Sequence, residues 1–295
     1  MHTFSIIIPH KNIPNLLQRC LDSIPDIDDI QVIVVDDNSS EDIVDFKHFP
    51  GAKNNNVECV FDKRGGGAGR ARNLGMQHAD GKWLLFADAD DFFANDFYDI
   101  ISQFKDYKGQ IVLFKADSVD SDTMIQSDRH LKLNNFIDDA LNDRVNNKTA
   151  VLSLPVPWAK MVRREFVKEK NILFDETLSA NDMMFIAKAT CWAENVKVVD
   201  KVLYVVTTRS GSLTQETKTN EENFLCRMNK YIDWNFFLKD YPFNEMRLPI
   251  IIYIFRARKI SFKTFRKAFA LAFKRKAVFS AFGNYMRIVK RHFFK

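Results

Sequence analysis

Short apolar runs alternate with amphipathic stretches along the first 115 residues. The run at 4–9 (FSIIIP) is continuous, rich in isoleucine and stopped by Pro9, which predicts a buried strand. Leu16, Leu17, Cys20, Leu21 and Ile24 then recur at helical spacing, so a helix is expected over 14–24. The alternation continues with strands at 30–35 (IQVIVV), 57–61 (VECVF), 83–87 (WLLFA) and 110–114 (QIVLF). Helices fall between them, one running to about residue 79 and one over 96–105. Continuous apolar strands separated by helices specify an α/β fold with a mostly parallel sheet covered on both faces.

Past 115 the pattern loosens. Helices are expected over 131–143 and 181–193 and at the end of the segment 155–171, while VKVVDKVLYVVTT (196–208) reads as two short strands. From about 219 the chain is mainly helical, with no repeat or low-complexity linker.

In parallel sheets ligands gather beyond the carboxyl ends of the strands. The polar clusters fall at such ends: His10-Lys11-Asn12, Asp36-Asp37, the glycine loop KRGGGAGRARNLG (63–75), and Asp88 to Asp91. The loop holds five of the ten glycines, yet it is no dinucleotide fingerprint, because Arg70 or Arg72 stands where the third glycine belongs. It is no phosphate loop either, since no Gly-Lys-Ser/Thr follows. Arg70 and Arg72 open the next helix, and both helix N-termini and guanidinium groups favour anions. Asp88, Asp90 and Asp91 offer the hard oxygen donors that Mn²⁺ or Mg²⁺ takes, with substrate phosphates completing the shell. Asp37 suits a base N–H or ribose hydroxyls. Singly, these acids read as turn and cap residues; their meeting at one sheet edge favours a site.

SIIIPHKN, VIVVDDNSSED and GGGAGRARNLGMQHADGKWLLFADADD, in that order, resemble the nucleotide-binding half of glycosyltransferase family 2. PWAKMVRREFVKEKNILFDE, NDMMF and RSGSLT resemble that family's acceptor half, so the likeness runs from residue 4 to about 214. The resemblance implies a GT-A fold: a Rossmann-like, mostly parallel sheet with flanking helices, here followed by a C-terminal helical basic extension. It divides the chain into a catalytic part, 1–218 (donor half 1–115, acceptor half 116–218), and a helical region, 219–295. It implies inverting transfer from a nucleotide-diphosphate sugar, a UDP-sugar first among them, with Mn²⁺ or Mg²⁺. The acceptor would be a glycan or lipid-linked oligosaccharide in bacterial surface polysaccharide synthesis. By position, Pro9, His10, Asn12, Asp37, Gly67, Arg70, Arg72, Asn73, Asp88 and Ala89 would line the sugar nucleotide. Asp90, with Asp88 and Asp91, would hold the metal; Asp182 would be the base; Trp158, Lys160 and Arg209 would meet the acceptor or diphosphate.

The family's usual Glu-Asp pair reads Asn181-Asp182 here, and His10-Lys11 replaces an aromatic before Asn12. Asn181 hints at a second reading, a peripheral membrane protein with a degenerate sugar-nucleotide site. A sugar nucleotidyltransferase would need its glycine loop directly after the first strand, and FSIIIPHKNIPN has none.

Charge divides the chain. Residues 246–295 hold 14 Lys/Arg and no acid, whereas the first 245 carry 29 basic against 38 acidic side chains. Phe255, Phe262, Phe265, Phe269, Phe273 and Phe279 are interleaved with those cations at helical spacings. A basic amphipathic region of this kind, 255–295, fits an anionic membrane surface. The acidic body argues against nucleic acid. MHTFSIIIPHKN lacks a basic leader and reads as a strand, and four scattered cysteines suggest reduced thiols. The expectation is a cytoplasmic protein attached peripherally to the inner membrane face.

Overall fold

The computed structural model describes residues 2–209 and 220–284. The RSGSLT segment beyond Arg209 and the last stretch of the basic tail, 285–295, lie outside the described residues.

Eight strands form one sheet: β1 (Phe4–His10), β2 (Ile30–Asp36), β3 (Val57–Phe61), β4 (Trp83–Phe86), β5 (Phe92–Phe93), β6 (Ile111–Asp120), β7 (Lys160–Arg163) and β8 (Val196–Thr208). Their order is β3-β2-β1-β4-β7-β6-β8-β5. Strands β3, β2, β1 and β4 are mutually parallel, as are β6 and β8, while β7 runs antiparallel to both its neighbours. Helices α1 (Pro14–Asp22), α2 (Gly67–His78) and α3 (Phe97–Ser102) belong to the alternating first half. The apolar strands β1, β2 and β4 are almost wholly buried, which is why they read as unbroken hydrophobic runs.

Two elements depart from the sequence expectation. The segment before 171 contributes β7 ahead of its helix, a four-residue strand wedged between β4 and β6 and too short for a period to show. The run 196–208 is one strand, not two. Its register against β6 jumps from Phe114↔Val199 to Lys115↔Val202, so Asp200 and Lys201 are skipped. Lys115 holds Asp200 at 2.6 Å and Asp138 at 2.7 Å, so the polar pair marks a bulge, not a break.

The second half adds α4 (Leu131–Leu141), α5 (Asn147–Ser153), α6 (Arg164–Glu169) and α7 (Met183–Trp192), then α8 (Glu221–Leu238), α9 (Ile250–Ala257) and α10 (Phe262–Lys274). Leu152 of α5, Met183 and Ala187 of α7, and Trp234 and Leu238 of α8 share one buried cluster, which anchors α8 against α7. Met228, Ile232, Ile250, Ile254, Ala268 and Ala272 form another that joins the last three helices. Helix α10 is capped by Ser261, whose side chain accepts from the Thr264 N–H. It buries Thr264, Ala268 and Ala272 and turns Phe262, Phe269 and Phe273 outward, 66%, 46% and 70% exposed. Small residues inward and large ones outward reverse the pattern of an ordinary core-facing helix. No described helix is long and apolar enough to cross a membrane.

Candidate active site

Parallel pairing brings the ends of β1, β2 and β4 to one edge of the sheet, with His10 in register with Asp36. There the Asn12 N–H donates to Ser39 Oγ (2.8 Å) and Asn12 Oδ1 accepts from the Ser40 N–H (2.8 Å). Asn12 and Asn38 both sit in the left-handed region (φ 57° and 59°), which asparagine tolerates better than most residues.

His10 is not available for stacking. It is 1% exposed, and its Nε2 accepts from the Ile13 N–H at 3.2 Å, so Nδ1 carries the proton donated to Asp36 at 2.8 Å. Asp36 also accepts from the Ser39 N–H and hydroxyl at 2.9 and 2.6 Å. Burial favours the neutral Asp36 carboxyl, but the His10 and Ser39 hydrogen bonds outweigh it and lower the pKa. This pair is a bolt between strand ends.

The neighbouring Asp37 faces the glycine loop, and its Oδ1 accepts from the Gly67 N–H at 2.9 Å. Gly67 has φ +81°, a conformation that disfavours any side chain, so the chain can turn there into α2. Gly69 serves a different need. A Cβ on it would sit inside the van der Waals shell of the Asp175 carbonyl oxygen and 2.9 Å from the Asn181 Cβ. Helix α2 therefore lies directly against the loop that leads to Asp182. Asn73 ties down the same loop, accepting from the Phe174 N–H (2.9 Å) and donating to the Phe174 carbonyl (3.0 Å). Asn73 is thus a tether of the loop and not an open ligand group. Arg70 donates to Asp62 at 2.6 Å and leans toward Glu176.

Arg72 links the two halves. Its Nη2 donates to Asp88 at 2.5 Å and its Nη1 to Asn181 Oδ1 at 3.0 Å, with the guanidinium 5.4 Å above the Phe174 ring. A glutamate at 181 would give Arg72 two carboxylates; asparagine keeps the hydrogen bond without the second charge. Ala180 just before it has φ 57°, an unfavoured conformation for alanine that helps aim Asn181 and Asp182 toward α2.

The aspartate turn after β4 is held from several sides. The Asp88 N–H donates to the Tyr204 hydroxyl at 2.8 Å, and Arg19 and Thr207 Oγ1 donate to the Asp90 carbonyl at 2.7 and 2.8 Å. Asp88 and Asp90 keep side chains about one-third and one-quarter exposed, whereas Asp91 is 2% exposed. Asp91 accepts from the Thr207 N–H at 2.6 Å. Burial, reinforced by the charges of Asp88 and Asp90, holds the Asp91 carboxyl well above the ordinary range. Asp91 is thus turned inward by Thr207, away from the more open carboxylates of Asp88 and Asp90 with which it was grouped as a metal ligand.

Asp88 and Asp90 do fit a divalent cation that is completed by phosphate oxygens. Each already faces positive charge, Asp88 from Arg72 and Asp90 from Arg209 at 3.1 Å, so this edge is built to balance carboxylates with cations. No group of three or more His, Cys, Asp or Glu that could hold a metal occurs among the described residues. The protein's share of such a shell would be these two carboxylates.

Asp182 is the N-cap of α7 and half-buried. Desolvation pushes its carboxyl up to about 6, opposed by Arg72 and aided by the Asp88 charge. That value suits a general base near neutral pH. Lys160 is 1% exposed, donates to the Val156 carbonyl at 2.8 Å, and is lowered by burial to about 7, with the Asp182 charge acting the other way. Trp158 is not an open platform for a sugar: it is 2% exposed and stacks on Tyr204 at 5.7 Å. Ala89, 3% exposed, brings only its backbone to the edge, and Pro9 is half-buried at the end of β1. Tyr204, Thr207 and Arg19, none legible as site residues in the sequence, are the groups that hold the aspartate turn.

The glycosyl transferase family 2 model matches residues 5–169. The poly(ribitol-phosphate) beta-N-acetylglucosaminyltransferase TarS of Staphylococcus aureus is 27% identical over 231 residues, covering 76% of this chain and 39% of the TarS chain. The Bacillus subtilis glycosyltransferase EpsJ is 27% identical over 222 residues, covering 72% of this chain and 62% of its own. The chain thus spans less than two-thirds of either relative. Among solved structures, S. aureus TarS 1–349 in complex with UDP-GlcNAc superposes with a TM-score of 0.64 at 22% identity, covering 88% of this chain and 74% of that one. The Pyrobaculum calidifontis mannosyltransferase PcManGT, in complex with GDP-Man and Mn²⁺, superposes with a TM-score of 0.55 at 17% identity, covering 92% and 74%.

Proposed function

The chain belongs to glycosyl transferase family 2, and on that premise we propose that it moves a sugar from a UDP-sugar to a hydroxyl of a glycan acceptor, with inversion at the anomeric carbon. The observation that carries this is the Arg72 bridge, which donates both to Asp88 and to Asn181, the neighbour of Asp182, and so ties the aspartate turn after β4 to the loop that bears the raised carboxyl. Asp182 accepts the acceptor hydroxyl proton as the new oxygen–carbon bond forms on one face of the sugar. The bond to the diphosphate breaks on the other face, and UDP departs. Mn²⁺ or Mg²⁺ held by Asp88 and Asp90 would supply neutralising charge for the leaving diphosphate. Arg209, beside Asp90, is placed to assist. Asp37, Pro9, Asn12 and Gly67 frame the nucleoside end, with residues 1–218 as the catalytic part.

UDP-GlcNAc, UDP-glucose and UDP-galactose consumption, with Mn²⁺ present, tests the reading. Release of UDP from one of them by the wild type and not by Asp90→Ala is expected; release from none would refute it.

The setting we propose is bacterial surface polysaccharide synthesis at the inner face of the cell membrane, reached through the basic region 255–295. Phe255, Phe262, Phe273 and Phe279 are each 63% or more exposed. Arg258, Lys259, Lys263 and Arg266 are exposed cations interleaved with them along the chain, and each cation near an anionic bilayer contributes about 1 kcal/mol. Sedimentation with phosphatidylglycerol-rich vesicles is expected to carry the chain down at low salt, and much less at high salt or with Phe255, Phe262, Phe273 and Phe279 changed to serine. Equal pelleting by the variant would remove this attachment; concentration-dependent self-association of the wild type alone would mark the face as a contact between copies.

A further inference from the structure

Helix α8 lies across the loop that carries Asp182. Lys230 holds Asp175 at 3.1 Å, Arg227 Nε donates to Ser179 Oγ at 3.2 Å, and the Cys226 thiol lies 3.7 Å from the Ser179 carbonyl. Arg227 and Tyr231 are four residues apart and so share one face of α8. Tyr253 and Arg256, three apart, share one face of α9. The two faces meet: the Tyr231 and Tyr253 rings are 4.5 Å apart, and the Arg256 guanidinium lies 5.4 Å over the Tyr253 ring.

The charges in this cluster are unmatched. The acids of the neighbourhood are already satisfied, Asp175 by Lys230, Asp233 by Lys230 and Arg275, and Glu221 by Lys267. Among the described residues neither Arg227 nor Arg256 has a carboxylate at ion-pair distance. Arg227 is half-buried with only hydroxyl partners, so most of its five N–H donors are left for something else. Its charge reaches Asp182, and Asp182 in turn acts on Tyr231. Two guanidinium groups and two aromatic rings therefore gather on the helices that pack over the Asp175–Ser179 loop leading to Asp182. Guanidinium is suited to phosphate, and tyrosine faces to the carbon skeleton of a sugar or polyol.

Resting on the glycosyltransferase reading above, we propose that Arg227, Tyr231, Tyr253 and Arg256 form an acceptor subsite for a phosphate group carried next to the hydroxyl that receives the sugar. The phosphate would belong either to a phosphodiester polymer or to a lipid-linked diphosphate.

Calorimetric titration of the full chain loaded with UDP and Mn²⁺ tests this with two probes, a glycerol phosphate trimer for the polymer and farnesyl diphosphate in micelles for the lipid. Glycerol and farnesol are the neutral counterparts. Wild type is expected to bind at least one phosphate probe, and Arg227→Gln with Arg256→Gln to weaken that binding tenfold or more. Lys239→Gln, an exposed cation at the C-terminal end of α8, controls for general charge and is expected to leave it unchanged. The probe that binds identifies the source of the phosphate. Phosphate probes that bind no better than their neutral counterparts, or equally well to wild type and the double variant, overturn the proposal. Should the double variant fail to melt cooperatively, Arg227→Lys and Arg256→Lys are read instead. They keep the charge but lose the planar fork, so a smaller loss is expected and no loss in either counts against the site. UDP-sugar consumption by wild type in the same preparation reports separately on the glycosyltransferase reading.

Discussion

Asp182→Asn is expected to lower UDP-sugar transfer by about 10²–10⁴-fold while leaving the fold intact. Asparagine keeps the shape and the helix-capping position but cannot take the acceptor proton. The wild-type rate should rise with pH through about 6, because the Asp182 carboxyl, raised to about 6 by desolvation, must be ionised to act. The same shift has a stability consequence of fixed sign. A folded-state pKa above the unfolded one stabilises the fold fully only below the unfolded value, near 4, and that contribution is lost as pH rises through about 6. At pH 8 the ionised, desolvated carboxylate therefore costs stability, and Asp182→Asn should be more stable than wild type by roughly 1–3 kcal/mol. At pH 4 the gap should close. A variant that loses transfer without gaining stability at pH 8 would mean that Asp182 is better solvated than its surroundings imply.

Gly69→Ala should be the most damaging single-methyl change in the first half of the chain. The added Cβ meets the Asp175 carbonyl oxygen and the Asn181 Cβ, one of them backbone, so α2 and the 174–182 loop must move apart. Overpacking of this kind costs about 1–3 kcal/mol. Here the displacement also stretches the Arg72 bridge between Asp88 and Asn181, so transfer should fall along with the melting temperature. Gly67→Ala supplies the contrast. Nothing lies within 4 Å of its Cβ, so only the φ of +81° opposes it, a cost of about 1 kcal/mol. Equal melting temperatures for the two variants would show that the α2 contact is loose.

The strand-end clusters were legible because parallel strands buried on both faces read as unbroken apolar runs, and the polar residues after them necessarily share an edge. Asp88 and Asp90 could be picked out in that way, whereas Asp182, which opens a helix, was marked only by the family resemblance. What the sequence could not supply is which neighbours are solvent-facing. Asp91 differs from Asp90 by one position, yet Thr207, 116 residues away, turns it inward. Trp158 and His10 carry the right chemistry for stacking but are claimed by Tyr204 and Asp36, partners set by tertiary packing. Strand β7 was missed because four residues show no period, and the Asp200–Lys201 bulge looked like a strand boundary because both features break an apolar run. Arg227 and Tyr231 gave no local signal, since only the docking of α8 on α7 brings them near Asp182.

In the proposed site Asp88 and Asp90 form the metal-assisted diphosphate end of the sugar-nucleotide pocket. Thermal unfolding with UDP, with and without Mn²⁺, on wild type and Asp90→Ala tests it most directly. A ligand at 100 times its dissociation constant stabilises by about 2.7 kcal/mol. An upward shift of that order is expected for wild type with UDP and Mn²⁺ together, a much smaller one with UDP alone, and none for Asp90→Ala. A shift that is the same with and without Mn²⁺, or that survives in Asp90→Ala, would contradict it.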